Sequence, residues 1–216
     1  MGLKMSHAET DLRVFLSSDS EVPPDVFFLI QDEDEEGGGR KIIGAHRFVL
    51  GTVSPVFRRM FFGPMKEMAE EVEVKETTSE AFDTMIKYIY NPLGGDTFNL
   101  DQISCPQKLF ELLKIATKYQ ILTLATMTSD ALQTLAITRE NMIFTATVAK
   151  NYKEAFDDVS TKVLMRCLKF LVDTTNGAGD ILNLIKETVD HFPEANLDIL
   201  RELMDVGNAT LQLPGF

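Results

Sequence analysis

The chain has 216 residues, of which 33 are Asp or Glu and 21 are Lys or Arg, so its formal net charge is −12 at pH 7. An acidic chain is repelled by nucleic-acid phosphates and by anionic lipid headgroups, which argues against nucleic acid and membrane surfaces as partners. Hydrophobic residues make up 44% of the chain, and a chain of this length buries a core that needs no disulfide or structural metal.

The cysteine usage indicates a reducing compartment. The chain has two cysteines, Cys105 and Cys167, which are far apart and lie in apolar, helical contexts. No apolar run reaches the roughly 20 residues that a membrane span needs, and the first residues hold no apolar core of a signal peptide. We therefore expect a cytoplasmic or nuclear protein.

The first predicted elements are two strands joined by a loop. Apolar segments at residues 26–30 and 42–43 flank an acidic run at 32–36 and three glycines that follow it, a pattern typical of paired strands. We interpret the acidic run as a solubilising loop. The alternative, a calcium site, is disfavoured because the carboxylates lack the alternating spacing of a calcium loop.

Two consecutive helices follow the second strand. Apolar residues recur there at steps of three and four, which is the helical spacing; they are Val49, Val53, Val56 and Met60. Ser54 and Pro55 interrupt this pattern. Serine is a favourable N-cap, and proline suits the first helical position. The sequence therefore predicts one helix over residues 46–53 and a second over 55–62.

A short strand and a capped helix come next. Residues 71–75 alternate valine with charged residues and predict a half-buried strand. Thr77 and Glu80 have the spacing of a capping box, followed by a helical apolar face over 82–90. Beyond residue 91 the patterns are helical only: they begin at Pro106, at 121, at Thr138 as a cap, at 159, at 180 and at 196. This order predicts an α+β fold followed by an all-α extension.

The sequence offers no catalytic, cofactor-binding or metal-binding set. The motifs HExxH, CxxC, GxSxG and GxxxxGK[ST] are missing, and the histidines are dispersed at His7, His46 and His191. We therefore expect no enzyme. Asp25 and Arg47 each lie at the edge of an apolar element, where an unpaired charge is costly, so we predict a structural ion pair between them.

Several of these segments resemble the BTB (POZ) domain. The segments that carry the resemblance are Asp25-Val26, Ala45-His46-Arg47-Phe48-Val49-Leu50, Ser54-Pro55-Val56-Phe57-Arg58-Arg59-Met60-Phe61, Glu80-Ala81-Phe82 and Tyr88-Ile89-Tyr90. The resemblance implies a short three-stranded sheet flanked by helices over residues 25–124. Residues 125–216 are similar to a partial BACK-type helical extension, and residues 1–24 take the place of a dimerisation helix and its linker.

The resemblance also implies a homodimer. BTB domains of this kind pair through an N-terminal helix, here 9–17, and through the helices of the 45–62 region. The corresponding apolar residues are Leu12, Phe15, Leu16, Phe48 and Val49. Apolar side chains on a terminal segment are unfavourable in water, and a twofold partner would cover them. The alternative is that they pack on their own domain.

A further resemblance concerns a hydrophobic-x-Glu motif, by which many BTB proteins bind the third cullin of ubiquitin ligases. Phe62, Met65 and Glu67 stand in that register, and Met68 with Glu70 gives a second register. A methionine can fill an apolar pocket of a partner, and a glutamate can accept an orienting hydrogen bond. The alternative is a methionine that covers its own core and a solvated glutamate.

These implications favour a dimeric substrate adaptor or scaffold of a cullin-RING ubiquitin ligase, whose partners are a second copy, the third cullin and an unknown substrate protein. The alternative is a BTB assembly scaffold in transcriptional regulation or the cytoskeleton, without a role in ubiquitination. In the sequence, only the motif at Met65 and Glu67 separates these two hypotheses.

Overall fold

The structure is a computed structural model that describes residues 22–32, 39–91, 98 and 100–174. The helices expected at 9–17, 180–191 and 196–206 lie outside the described residues. Leu12, Phe15 and Leu16 of the expected dimer interface lie outside them as well.

A three-stranded sheet opens the described chain. Strand β1 spans Val26–Gln31, β2 spans Arg40–Ala45 and β3 spans Glu71–Val74, in the order β2-β1-β3. Strand β1 pairs antiparallel with β2 and parallel with β3. Its alternate residues Val26, Phe28 and Ile30 are fully buried, as the period of a strand with one covered face requires.

Two short helices follow β2, as the sequence predicted. Helix α1 spans Arg47–Val53 and α2 spans Pro55–Phe62. Between them the Ser54 hydroxyl accepts a hydrogen bond from the Phe57 N–H at 3.1 Å and donates one to the Tyr119 carbonyl oxygen at 2.6 Å. The chain turns here because Ser54 caps α2 and Pro55 preorganises its first turn.

Helix α3 spans Ser79–Ile89, and its cap differs from the prediction. Thr78, not Thr77, occupies the N-cap, where its hydroxyl accepts a hydrogen bond from the Ala81 N–H at 3.3 Å. The carboxylate of Asp32 accepts from the Ser79 N–H at 2.6 Å. This contact from the residue after β1 satisfies the first amide of the helix. With Thr78 at the N-cap, Glu80 stands at the second helical position and not at the third, which a capping box requires.

The remaining described elements are helical, which confirms the α+β class followed by helices. A 3₁₀ turn at Leu100–Gln102 is followed by α4, Pro106–Lys118, α5, Leu122–Thr134, α6, Met142–Asn151, and α7, Asp157–Thr174. Thr138 was predicted to cap α6, but Asn141 holds that position. Thr138 instead shapes the preceding turn, where its hydroxyl accepts from the Asn141 N–H at 3.3 Å.

The chain divides into two compact units. The first contains the described residues up to 98 together with 111–126, and the second contains 100–110 with the described residues from 127 onward. The core of the first unit is a group of packed rings, in which Phe28 lies 4.8 Å from Phe82 and Phe57 lies 4.3 Å from Tyr119 between centroids. In the second unit α6 is buried around most of its circumference, as a central helix must be.

Candidate interaction site

The most exposed large apolar side chain among the described residues of the first unit, Met65, lies between α2 and β3. In this loop, residues 63–70, Met65 is 95% exposed and Met68 is 66% exposed. A solvated methionine is a soft, adaptable group that fills irregular apolar pockets. The loop therefore exposes apolar side chains that are largely unpacked against the described residues of the domain.

The backbone of this loop is tied to the domain at several points. The Glu67 N–H donates to the Met60 carbonyl oxygen at 2.7 Å, and the Phe27 N–H of β1 donates to the Glu70 carbonyl oxygen at 2.7 Å. The Arg47 guanidinium donates through Nη2 to the Ala69 carbonyl oxygen at 2.6 Å. The loop is thus attached to α2, β1 and α1. Met65 is therefore exposed on a backbone that these hydrogen bonds hold in place.

Glu67 is oriented by its own loop. Its Oε1 accepts a hydrogen bond from the Ala69 N–H at 2.9 Å. Its other carboxylate oxygen has no hydrogen bond among the residues that the structure describes. An oriented carboxylate with one open oxygen can accept a hydrogen bond from a partner.

Two further aromatic side chains, on the helices that precede this loop, are also exposed. Phe62, at the end of α2, is 56% exposed, and its ring lies against Gly51 of α1, where a Cβ atom would come within 2.8 Å of Phe62 Cε2. Phe48 is 74% exposed and precedes Gly51 by three residues, so both lie on one side of α1. Helical spacing therefore puts Phe48 on the side of α1 that the Phe62 ring contacts, although the sequence assigned the two residues to different interfaces.

The contact between Asp25 and Arg47 differs from the predicted ion pair. Asp25 Oδ1 accepts from the backbone N–H of Arg47 at 2.8 Å, which is the first amide of α1 and has no partner within its helix. The guanidinium, which bonds Ala69, also lies over the Phe61 ring at 5.3 Å from its centroid. The aspartate thus caps a helix, and the arginine anchors the loop that carries Met65.

A buried polar network beside α1 was not foreseen. The Tyr90 hydroxyl accepts from the His46 N–H at 2.7 Å and lies 2.8 Å from His46 Nδ1, while Nε2 lies 3.2 Å from the Val22 carbonyl oxygen. Burial raises the pKa of Tyr90 to about 12, so its hydroxyl stays protonated at neutral pH. This hydroxyl can donate its proton to Nδ1, and Nε2 can then donate to the Val22 carbonyl oxygen.

The residues that the structure describes offer neither a metal site nor a membrane span. No group of three or more His, Cys, Asp or Glu side chains there could hold a metal ion. No described helix is both long and apolar enough to cross a membrane.

Comparison with known proteins gives consistent matches. The family model of the BTB/POZ domain matches residues 15–136. BTB/POZ domain-containing protein 9 of Homo sapiens is 31% identical over 130 residues, which are 59% of this chain and 19% of that protein. A BTB/POZ domain-containing protein of Arabidopsis thaliana is 28% identical over 162 residues, 74% of this chain and 44% of that protein.

A third relative is BTB and MATH domain-containing protein 42 of Caenorhabditis elegans, 34% identical over 88 residues, 40% of this chain and 20% of that protein. The chain thus spans less than half the length of each of these relatives. The family match, the three-stranded sheet and the helices that follow it agree. The chain belongs to the BTB/POZ domain family, and its domain is a protein–protein interaction module.

Proposed function

We propose that this protein is a homodimeric substrate adaptor or scaffold that binds the third cullin of a RING ubiquitin ligase. In this proposal Phe62, Met65 and Glu67 contact the cullin, and a different surface holds a substrate protein that is unknown. The protein itself supplies binding and positioning, and it acts in the cytoplasm, the nucleus or both.

The observation that carries this proposal is the presentation of Met65. Its side chain is 95% exposed, yet the loop backbone on both sides is hydrogen-bonded to the domain. An apolar anchor that is already positioned loses little conformational entropy on binding. Such anchors are the residues from which most binding energy comes.

The geometry favours the first of the two registers. Met65 is 95% exposed and Met68 is 66% exposed. Two residues after Met65, the carboxylate of Glu67 is oriented by the Ala69 N–H. In the second register Glu70 follows Met68, but no hydrogen bond orients the Glu70 carboxylate among the described residues.

The dimer is proposed to form through Leu12, Phe15 and Leu16 of the N-terminal segment and through Phe48 and Val49 of α1. Support comes from Phe48, which is 74% exposed, whereas Leu50 of the same helix is fully buried. Pairing would remove that ring from water, and twofold assemblies are the commonest closed form.

The domain boundaries remain part of the proposal. Residues 1–24 would form the dimerisation helix and linker, residues 25–124 the BTB domain, and residues 125–216 a partial BACK-like extension that enlarges the cullin contact. The BTB family match extends over 15–136, so it covers the whole proposed BTB domain, the last part of the N-terminal segment and the first part of the extension.

The direct test is calorimetric titration of the whole chain with the N-terminal domain of the third cullin. We expect saturable binding at one cullin per chain, weakened by roughly 30-fold or more in Met65→Ala with Glu67→Ala, since central anchors contribute at least about 2 kcal/mol. Met68→Ala with Glu70→Ala is the matched control and should retain the wild-type affinity. If both double variants bind like the wild type, the motif assignment is wrong.

The dimer is tested separately by light scattering. Phe15→Asp places a charge in the proposed interface, so we expect a monomer or an aggregate. An unchanged dimer mass would contradict the interface assignment. A folded dimer that does not bind the cullin would favour the alternative, a BTB scaffold in transcriptional regulation or the cytoskeleton.

A further inference from the structure

Among the residues that the structure describes, the sheet of the first unit has two open edges. In the order β2-β1-β3, no described strand pairs with β2 on the side opposite β1, and none pairs with the outer side of β3. Unpaired edge groups are templates for another strand, which is why many proteins shield them. The charge and polarity of the residues on each edge therefore determine which strand can pair with that edge.

The register shows which backbone groups point outward from β2. Asp32 and Gly39 are joined by an N–H···O bond of 3.5 Å, and pairing alternates from there, so Ile30 bonds Lys41 and Phe28 bonds Ile43. The backbone groups of Arg40, Ile42 and Gly44 therefore point away from β1.

The same reasoning applies to β3. The Phe27 N–H bonds the Glu70 carbonyl oxygen, so in this parallel pair Val72 and Val74 face β1, whereas Glu71 and Glu73 direct their backbone groups outward. Within the described part of the chain, no hydrogen bond reaches the outward backbone groups of Arg40, Ile42, Glu71 or Glu73.

The two edges carry opposite charge. Arg40 and Lys41 on β2 are exposed, and neither has an ion-pair partner among the described residues. Glu71 and Glu73 on β3 are exposed, and the pair of Glu73 with Lys75 at 3.4 Å leaves 66% of the Glu73 side chain in solvent. Ile42, on the basic edge, is 59% exposed, although exposed apolar residues are usually avoided on free edges.

We propose that the β2 edge of one copy pairs with the β3 edge of a second copy, which continues the sheet from one molecule to the next. Because β2 runs antiparallel to β1 and β1 runs parallel to β3, a second copy in the same orientation presents its β3 antiparallel to β2. The contact is heterologous, so it leaves one open edge on each end and can repeat.

Charge narrows the registers of this contact, because Arg40 meets an acidic residue opposite the partner copy's Glu73 or Glu71 but a like charge opposite its Lys75. The antiparallel alignment that places Arg40 opposite the partner copy's Glu73 also places Ile42 opposite its Glu71, and all four residues direct their backbone groups to the shared edge. A shift by two residues would place Arg40 opposite Lys75, which is a like-charge pair. Pro24 covers the far end of β2, since a Cβ atom on Gly44 would lie 2.9 Å from Pro24 Cγ, so the pairing is confined to residues 40–43.

This contact is independent of the cullin motif and of the proposed twofold dimer, which use the α2–β3 loop and α1. A short edge contact is weak by itself. When the assembling molecule is already the proposed twofold dimer, however, two such edges act together, and their effective concentration strengthens the association. The expected result is a dimer that grows into larger assemblies as the protein concentration rises.

The test is light scattering of the full chain over a concentration series up to about 1 mM, at low and high salt. We expect the average mass to rise with concentration and to fall with added salt, because the edge charges are exposed. Arg40→Glu with Lys41→Glu should abolish the growth, and so should Glu71→Lys with Glu73→Lys. Lys162→Glu with Lys169→Glu on α7 makes the same change in net charge as the variant of Arg40 and Lys41, and it should grow like the wild type.

Mixing provides the decisive control. The variant with an acidic β2 edge and the variant with a basic β3 edge should assemble together, because complementary edges are restored between them. A merely destabilised fold would not be rescued in this way.

Ile42→Pro removes an outward N–H without removing a bond to β1 and should also block growth, whereas Ile42→Ala should not. A mass that is constant with concentration, or growth that survives every edge variant, would overturn the proposal.

Discussion

The hydroxyl of Ser54 makes two contacts at the junction of α1 and α2, and its removal gives the sharpest test of the fold. Ser54→Ala deletes the hydrogen bond from the Phe57 N–H at 3.1 Å, which caps α2. It also deletes the bond to the Tyr119 carbonyl oxygen at 2.6 Å. Ser54 has no exposed surface, so water cannot replace either contact.

The expected cost follows from these two losses. A lost N-cap destabilises by about 1 kcal/mol, and a buried carbonyl without its partner adds roughly 1–3 kcal/mol. We therefore expect Ser54→Ala to lower the free energy of unfolding by about 2–4 kcal/mol. Thr78→Ala is the matched control, since Thr78 caps α3 through one bond of 3.3 Å at a half-buried position. It should cost only about 1 kcal/mol.

Urea unfolding followed by far-ultraviolet circular dichroism measures both variants, because the chain contains no tryptophan for fluorescence. The comparison uses the transition midpoints at equal slope, so that a change in midpoint reports a change in stability. If Ser54→Ala costs no more than Thr78→Ala, the bond to the Tyr119 carbonyl oxygen does not stabilise the fold, and the reasoning is refuted.

Two further predictions concern buried titratable groups. Burial raises the pKa of Tyr90 from 10.0 to about 12, so the stability that the protonated Tyr90 contributes is complete below pH 10 and is lost as the pH rises toward 12. Tyr90→Phe should therefore show a shallower loss of urea midpoint above pH 10, and equal slopes would contradict this. Burial also raises the pKa of the Cys167 thiol to about 12, while Cys105 is only half-buried. A disulfide reagent at neutral pH should therefore modify one thiol in the folded protein and both in urea, whereas rapid modification of Cys167 in the folded protein would show that its burial is incomplete.

Local chemistry was enough to predict several elements. Ser54 and Pro55 mark the break between α1 and α2 because both the cap and the restricted proline act within one turn. The alternation of valine with charge located β3 in the same way. The α3 cap could not be located in this way, because Thr77, Thr78 and Ser79 are all capable caps, and the Ser79 N–H is bonded by a carboxylate that follows β1, 47 residues away in the chain.

The candidate site was predictable in part for the same reason. The sequence placed Met65 and Glu67 in a loop between a helix and a strand, and the structure leaves Met65 exposed. The sequence could not show that the Arg47 guanidinium bonds the loop, while only the Arg47 backbone N–H bonds Asp25. These contacts are brought together only by tertiary structure. The His46–Tyr90 pair, separated by 44 residues, was hidden for that reason too.

The bond from Arg47 to the Ala69 carbonyl oxygen has a consequence for the rate at which a partner is captured. A loop that is already held needs no folding step after encounter, so association should follow a single exponential and rise linearly with partner concentration. Removing the guanidinium would release the loop from α1 while Met65 itself stays unchanged. The association rate constant would then fall more than the dissociation rate constant rises, which is the reverse of the pattern expected when a contact residue is removed.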